Sequence, residues 1–336
     1  MSNETEDGVR DLMLRSLDRI VEEKAEGAAQ RADGKPGYPA DLWAALEEAG
    51  MTALGEENAG DLGLGNAAAL IERAAYHTLP VPLAETILAR RLLAKAGIEI
   101  PDGSLSVAPP LANRDGRAAG VPWAGSVAGV VVATGADTLA VVDAREAAAP
   151  GFNMAGEPRD IIDLSRAKTI ASGDLADAAS VVEAEGALIR AVQMSGAMAR
   201  VLEHGLTWAN DRIQFGRPIA RFQAIQHLMA ELAAEAAAGS ASALMAVEAM
   251  AERDDRLAAA IAKARAGEAA GRVCAIAHEV FGAMGFTQEH TLHYATRRLW
   301  SWRNEFGSEV QWQAKIGRTI AEGGADSLWA TLTAHG

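Results

Sequence analysis

Between residues 103 and 172 the chain changes its periodicity, and that interruption constrains the fold more than any other feature of the sequence. Prolines at 109, 110, 122, 150 and 158 punctuate it, and the runs "VAGVVVAT" (127–134) and "TLAVVDA" (138–144), separated by Gly and Asp, predict short strands. On both sides the pattern is helical. From residue 4 to about 99, Val9, Leu12, Leu17, Ile20 and Val21 recur at near-helical spacing, and "YPADLWAALEEAGM" offers a proline start and a glycine stop. After "SGDLADAAS" two apolar stripes follow, Leu188, Val192, Ala199, Leu202 and Leu206, then Phe222, Ile225, Met229, Leu232 and Ala236. A third helix is predicted through Leu257 to about Phe281. A fourth follows "FGSEVQWQ", with Ser308 and Gln311 spaced as a capping box. The expectation is a mainly α chain with a small β domain: an N-terminal helical domain (1–100), a middle β-barrel-like domain (101–175) and a C-terminal four-helix bundle (176–336). The alanine-rich faces around 233–246 and 258–270 would let helices approach closely, with small apolar surface left over for another subunit.

That order excludes several classes. No predicted strand leads into a glycine-rich loop and helix, and "GLGNAA" (63–68) matches the dinucleotide fingerprint only loosely, so a Rossmann domain is not expected. A formal net charge of −14 opposes broad contact with nucleic-acid phosphates. A single cysteine, Cys274, rules out a disulfide framework and suits a reducing compartment. The segment MSNETEDGVRDLMLRSLDRI lacks the basic-then-apolar form of a secretory leader, and no run approaches the ~18 apolar residues of a membrane span. A cytoplasmic protein is the expectation.

The stretch most suggestive of chemistry is "DRIQFGRPIARFQAIQH" (211–227). Arg212, Gln214 and the backbone at Phe215–Gly216 fall where one helix ends, and Pro218 with Ile219 would open the next. A planar guanidinium beside amide donors suits a pyrophosphate and a nucleobase edge, while an arginine that merely caps the preceding helix is the plainer reading.

The longer stretch "WANDRIQFGRPIARFQAIQHLMAELA" (208–233) closely resembles the flavin-binding signature of the acyl-CoA dehydrogenases, an R-x-Q-F-G turn followed by an F-Q-x-x-Q-H helix. "LPVPLAETILARRLLAKAG" (79–97) resembles the last helices of that family's N-terminal domain, and "HEVFGAMGFTQEHTLHYATRRL" (278–299) resembles its Q-x-x-G-G-x-G-F-T-x-E-H segment. The helical–β–helical order is also that family's fold. The resemblance implies FAD as cofactor and an acyl-CoA thioester as substrate, dehydrogenated between its α and β carbons by a carboxylate base and the flavin. It further implies that Arg212, Gln214 and Phe215 hold the adenosine-diphosphate half of a neighbouring subunit's FAD. Ile219, Gln223 and Ile225 would line the same site, Glu279 and the backbone at Gly282–Ala283 would meet the nucleotide from the next helix, and Ser308 would face the subunit's own flavin.

The pattern departs from the family at the base. The family's Glu-Gly-Thr/Ser falls on Phe306, Gly307 and Ser308, and its alternative base position falls on Gly186, near Glu183 and Glu185. The family's Gln before the Gly pair is Glu279, the second Gly is Ala283, and only Trp123 stands in for the flavin-flanking W-x-T/S strand. The endings "GFTQEHTLHYATRRL" and "NEFGS" look like the smaller partner in α2β2 acyl-CoA dehydrogenases of steroid side-chain catabolism. The implied role is a base-deficient subunit that donates FAD contacts beside a larger acyl-CoA dehydrogenase subunit. The alternatives are a homo-oligomer using Glu305 or Glu185 as its base, and a scaffolding paralogue without FAD.

Outside these motifs the residues read plainly. His290 and His293 with Glu289 have i,i+3 spacing but no visible further ligands, so no metal is expected. Trp300, Trp302 and Trp312 suit helix contacts or a subunit interface, and "NETED" and "AERDD" suit solvated segments.

Overall fold

The computed structural model describes residues 2–54, 63–110, 113–114, 116–324, 326, 328 and 329. They form two compact units, Met1–Ala74 with Leu79–Ile189, and Ala75–Thr78 with Arg190–Gly336.

In the first unit the helices are α1 (Ser2–Lys24), α2 (Ala28–Ala32), α3 (Ala40–Glu48), α4 (Gly63–Tyr76, whose end belongs to the second unit) and α5 (Leu83–Lys95). The proline and glycine punctuation of α3 acts as the sequence indicates: Pro39 occupies the N-cap and Gly50 turns the chain at φ +70°. The α1 stripe holds only in part. Leu17 and Ile20 are buried, whereas Val9 and Leu12 are exposed, so the N-terminal half of that helix carries its apolar residues outward. The "GLGNAA" segment forms the first turn of α4 rather than a phosphate loop.

The β segment contains β1 (Leu105–Val107), β2 (Asn113–Arg114), β3 (Arg117–Pro122), β4 (Gly129–Ala133), β5 (Thr138–Asp143), β6 (Ala148–Ala149), β7 (Arg159–Asp163) and β8 (Lys168–Asp174). They pair as two four-stranded sheets, β1-β4-β5-β8 and β2-β3-β7-β6, antiparallel except for β1 against β4. The two valine-rich runs become β4 and β5, paired Val130 to Val142 and Val132 to Ala140. The expected barrel is realised as two sheets feeding one core, in which Val130, Val132 and Val142 of one sheet meet Ala118, Val121 and Ile162 of the other around Trp123. Gly129 is required by close approach, because a Cβ there would stand 2.8 Å from Val141 Cγ2. The hydroxyl of buried Thr86 in α5 ties this sheet to the helices, donating to Leu105 O and accepting from Leu105 N, both at 3.0 Å.

α6 (Ala178–Asp211) enters the second unit at Arg190 and is followed there by α7 (Gln223–Arg253), α8 (Arg256–Phe281), α9 (Leu292–Trp302) and α10 (Glu309–Gly323). Residues 181–198 of α6 are buried without a break, while Ala199 and Leu206 are exposed. The single stripe expected there is therefore a helix buried on every side, with Glu185 and Arg190 among its buried residues, followed by a more exposed end. Met198 of α6 lies against Gly239 of α7, which also faces Ala269 of α8. That close approach is what the alanine-rich faces permit. The α8 face is covered within the chain, whereas α7 leaves Leu244 and Met245 exposed. α8 starts where the Asp255 carboxylate accepts from the amides of Leu257 and Ala258, both at 3.1 Å. α10 starts on the anticipated capping box, with Ser308 Oγ accepting from Gln311 N and Ser308 N donating to Gln311 Oε1.

Thr86→Val removes both Leu105 bonds while keeping the side-chain shape, so it should lower unfolding stability by about 1–3 kcal/mol. Urea denaturation checks this, and an unchanged midpoint would dissociate α5 from the stability of the sheet.

Candidate functional site

A cavity of about 510 Å³ opens where α6 ends, α7 begins and α8 stops, wholly within the second unit. Between α6 and α7 the chain does not pass directly into a helix at Pro218. It first forms a two-residue hairpin, β9 (Ile213–Gln214) against β10 (Arg217–Pro218), then a 3₁₀ turn over Ile219–Arg221. Ile219 N donates to Arg212 O at 2.8 Å and closes this loop. Phe215 sits at its tip with φ +51°, a left-handed backbone that a non-glycine residue adopts at a cost, and its ring is 91% exposed.

The hairpin and the end of α8 bring most of the expected residues together. Arg212, Gln214, Phe215, Ile219, Ile225, Glu279, Gly282 and Ala283 all line the cavity, joined by Trp208, Phe222, Phe281 and Met284. Gln223, the first residue of α7, is outside this lining, as is Ser308, which is engaged in capping α10. One wall is aromatic: the Trp208 indole stacks on Phe281 with centroids 5.0 Å apart and planes 13° from parallel. His290 packs edge-on against Phe281 at 4.7 Å and against Trp208 at 6.0 Å, and His204 lies 5.2 Å behind it. Burial, reinforced by Arg200, pushes the His204 imidazole down to about 4, and burial also lowers His290. The two rings pack behind the Trp208–Phe281 wall. His290 Nδ1 accepts from Leu292 N at 3.0 Å, and no metal-like group of three or more His, Cys, Asp or Glu occurs among the described residues.

Where α8 ends, Gly282 takes φ +59° and ψ −140°. A Cβ there would meet nothing within 4 Å, so the glycine is needed for its backbone angle and leaves the main chain open to a ligand. The lining thus combines a guanidinium, a carboxamide, a carboxylate, accessible backbone and stacked rings. Such a set suits a nucleotide, and the volume lies within the roughly 300–1,000 Å³ of small-molecule sites.

The turn that carries position 306 has a different character. Phe306 adopts φ +53° and Gly307 φ +94°, and the Phe306 ring is buried. Three carbonyls of the turn have side-chain donors: Trp312 Nε1 to Phe306 O at 2.9 Å, and Lys263 Nζ to Arg303 O at 2.8 Å and Gly307 O at 2.6 Å. Arg303 pairs with Glu309 at the start of α10. From α6, the buried Arg190 guanidinium pairs with Glu305 at 2.8 Å, bonds Gln193 and lies 5.6 Å above the Phe306 ring. Glu305, a candidate base in the homo-oligomer alternative, is mostly buried and salt-bridged. Glu185 is fully buried in the first unit, held by Arg91 at 2.9 Å and Lys95 at 2.7 Å. Cys274 is no nucleophile either, since burial pushes its thiol up to about 12.

Residues 183–314 match the family described as acyl-CoA dehydrogenase, C-terminal domain. The chain is 30% identical over 305 residues to acyl-CoA dehydrogenase IpdE2 of Mycolicibacterium smegmatis, covering 86% of this chain and 91% of that protein. The chain belongs to the acyl-CoA dehydrogenase family. Its fold is that of the acyl-CoA dehydrogenases in solved structures too. A variant of the Tcur3481–Tcur3483 steroid ACAD superposes with a TM-score of 0.83 at 22% identity, over 97% of this chain and all of that one. The ChsE4–ChsE5 complex from Mycobacterium tuberculosis gives 0.81 at 20% identity, over 93% and 97%. No helix among the described residues of this family member is long and apolar enough to cross a membrane.

Sequence reasoning missed Lys263, Arg190 and the Trp208–Phe281 stack in this family member. A lysine among alanines in "AAAIAKARAGEAA" is the only local signal for the first, and its partners are distant in sequence. Burial lowers the Lys263 ammonium to about 7, with Arg190 and Arg303 acting in the same direction and Glu309 and Glu305 opposing them. The group is lowered on folding, so between about pH 7 and 10.5 the unfolded chain binds more protons and stability rises with pH across that window. Urea midpoints should therefore climb from pH 7 to 9, by at most about 1.4 kcal/mol per pH unit, relative to a Lys263→Met variant. Parallel profiles for the two proteins would show that Lys263 keeps its usual affinity for protons.

Proposed function

We propose that this chain is a FAD-associated subunit of an acyl-CoA dehydrogenase, the base-deficient partner of a larger subunit that carries the catalytic carboxylate. The observation that carries the reading is the turn at 303–309. Where the family resemblance calls for a base, Phe306 is buried over Arg190, and the carboxylates nearest the two base positions are both held in ion pairs, Glu305 with Arg190 and Glu185 with Arg91 and Lys95. Releasing Glu305 would leave the buried Arg190 without that partner, a change that costs about 3–5 kcal/mol.

The cavity at Arg212 fits the nucleotide half of FAD in most respects. Arg212 would take the pyrophosphate, Gln214 and the Gly282–Ala283 backbone would bond polar edges, and the stacked Trp208–Phe281 wall with Ile219 and Ile225 would exclude water from the apolar side. When bound, FAD supplies the acceptor for the hydride leaving the acyl β carbon. The exposed Phe215 at the hairpin tip would lie against flavin and partner, consistent with a site completed by a second chain. Gln223 and Ser308 are proposed as further contacts in that assembled site. The similarity to proteins whose solved structures are two-component complexes, one of them called a steroid ACAD, supports an α2β2 assembly acting on bulky acyl-CoA thioesters such as steroid side chains.

The test is to purify the chain alone and co-expressed with a larger acyl-CoA dehydrogenase, and to record the visible spectrum and acyl-CoA-dependent dye reduction. The expected result is a colourless, inactive chain alone and a yellow, active pair. Flavin and turnover in the isolated chain would establish a homo-oligomeric enzyme instead, and a pair that never acquires flavin would establish a scaffold.

A further inference from the structure

Three polar side chains line the Arg212 cavity: the Arg212 guanidinium, the Gln214 amide and the Glu279 carboxylate. Arg272, two helical turns before Glu279, is hydrogen-bonded to Glu231 at 2.5 Å while still feeling the Glu279 charge, and Arg217 is committed to the face of Phe222 at 4.3 Å. Arg212 itself lies over the Trp208 ring at 5.8 Å. Although they border the same space, Arg212 and Glu279 form no ion pair with each other, and neither makes a side-chain hydrogen bond to another described residue. A guanidinium and a carboxylate held apart across one cavity select a ligand that is itself polarised, with an anionic group for Arg212 and hydrogen-bond donors for Glu279.

We propose that Glu279 is a specificity determinant of this cavity, admitting a nucleotide with a free ribose diol and a terminal or bridging phosphate, and rejecting an adenosine phosphorylated on the ribose. The proposal rests on the nucleotide reading above and deepens it. A carboxylate only accepts hydrogen bonds at neutral pH, so it complements the 2′ and 3′ hydroxyls or an exocyclic amine, all of which donate. It repels a phosphate placed at the same point, and only one guanidinium lines the cavity to offset two separate phosphate groups. The distinction has chemical consequence for an acyl-CoA dehydrogenase, because both its cofactor and its substrate end in an adenosine nucleotide. The one from FAD has an unmodified ribose, while the one from coenzyme A carries a 3′-phosphate. With Glu279 in place, the substrate's tail does not compete for the cofactor's seat.

The experiment titrates the assembled protein, stripped of flavin, with ADP and with adenosine 3′,5′-bisphosphate by isothermal calorimetry, alongside Glu279→Gln and Arg212→Ala forms. The proposal expects ADP to bind about tenfold or more tightly than the bisphosphate, a difference of about 1.4 kcal/mol. Glu279→Gln should close that gap by improving the bisphosphate, and Arg212→Ala should weaken both ligands. Equal binding of the two nucleotides, unaffected by Glu279→Gln but weakened by Arg212→Ala, would overturn the selectivity while leaving the cavity a nucleotide site. Absence of binding by either nucleotide would overturn both the selectivity and the nucleotide reading beneath it.

Discussion

The Lys263 ammonium group, buried in the middle of α8, holds two carbonyls of the turn that separates α9 from α10. Without it those carbonyls would be unpaired in an apolar interior, and the backbone would have no reason to keep a phenylalanine in a left-handed conformation. Lys263 does not act alone. Arg190 reaches in from α6 to Glu305, Arg303 ties the turn to Glu309, and the Trp312 indole secures the carbonyl of Phe306. Gly307 is part of the same fit, because a Cβ there would stand 2.5 Å from Trp312 Nε1. Three helices, α6, α8 and α10, thus converge on the turn and hold it.

That arrangement separates the two things an acyl-CoA dehydrogenase subunit can contribute. The cavity built by the end of α6, the hairpin and the end of α8 retains what a nucleotide needs, including a guanidinium, open backbone at Gly282 and a stacked aromatic wall. The turn at 303–309 has a buried ring at Phe306, and the neighbouring carboxylate of Glu305 pairs with Arg190. Binding apparatus and proton-transfer apparatus sit on different segments, so one can be kept while the other is replaced.

Much of this was legible in the sequence wherever the signal was local. The valine runs that became β4 and β5, the Ser308 cap, and the proline and glycine around α3 each act over a few residues and gave their elements directly; the Asp255 cap of α8 lay in a stretch read only as solvated. The β9–β10 hairpin was not legible, because two-residue strands leave no periodicity and Phe215 carries no glycine to announce its positive φ. α9 was hidden inside a segment read for its motif. In α6 the stripe was misjudged, since alanine and glycine between the larger residues pack as well as the larger residues do. For the site, the stretch 208–225 identified itself through spelling, but its meeting with Glu279–Ala283 rests on tertiary packing that only the family resemblance anticipated. The pairing of Arg190 with Glu305 was invisible, since charges distant in sequence reveal nothing of each other until the helices are placed.

The central claim is that no carboxylate of this chain takes the substrate's proton. Turnover of the flavin-loaded assembly carrying Glu305→Gln tests it most directly, with flavin content measured to verify that the turn is intact. The account predicts turnover within about twofold of the unaltered assembly, because Glu305 serves Arg190 and not the reaction. A fall of about a hundredfold or more with flavin retained would make Glu305 the base and contradict it.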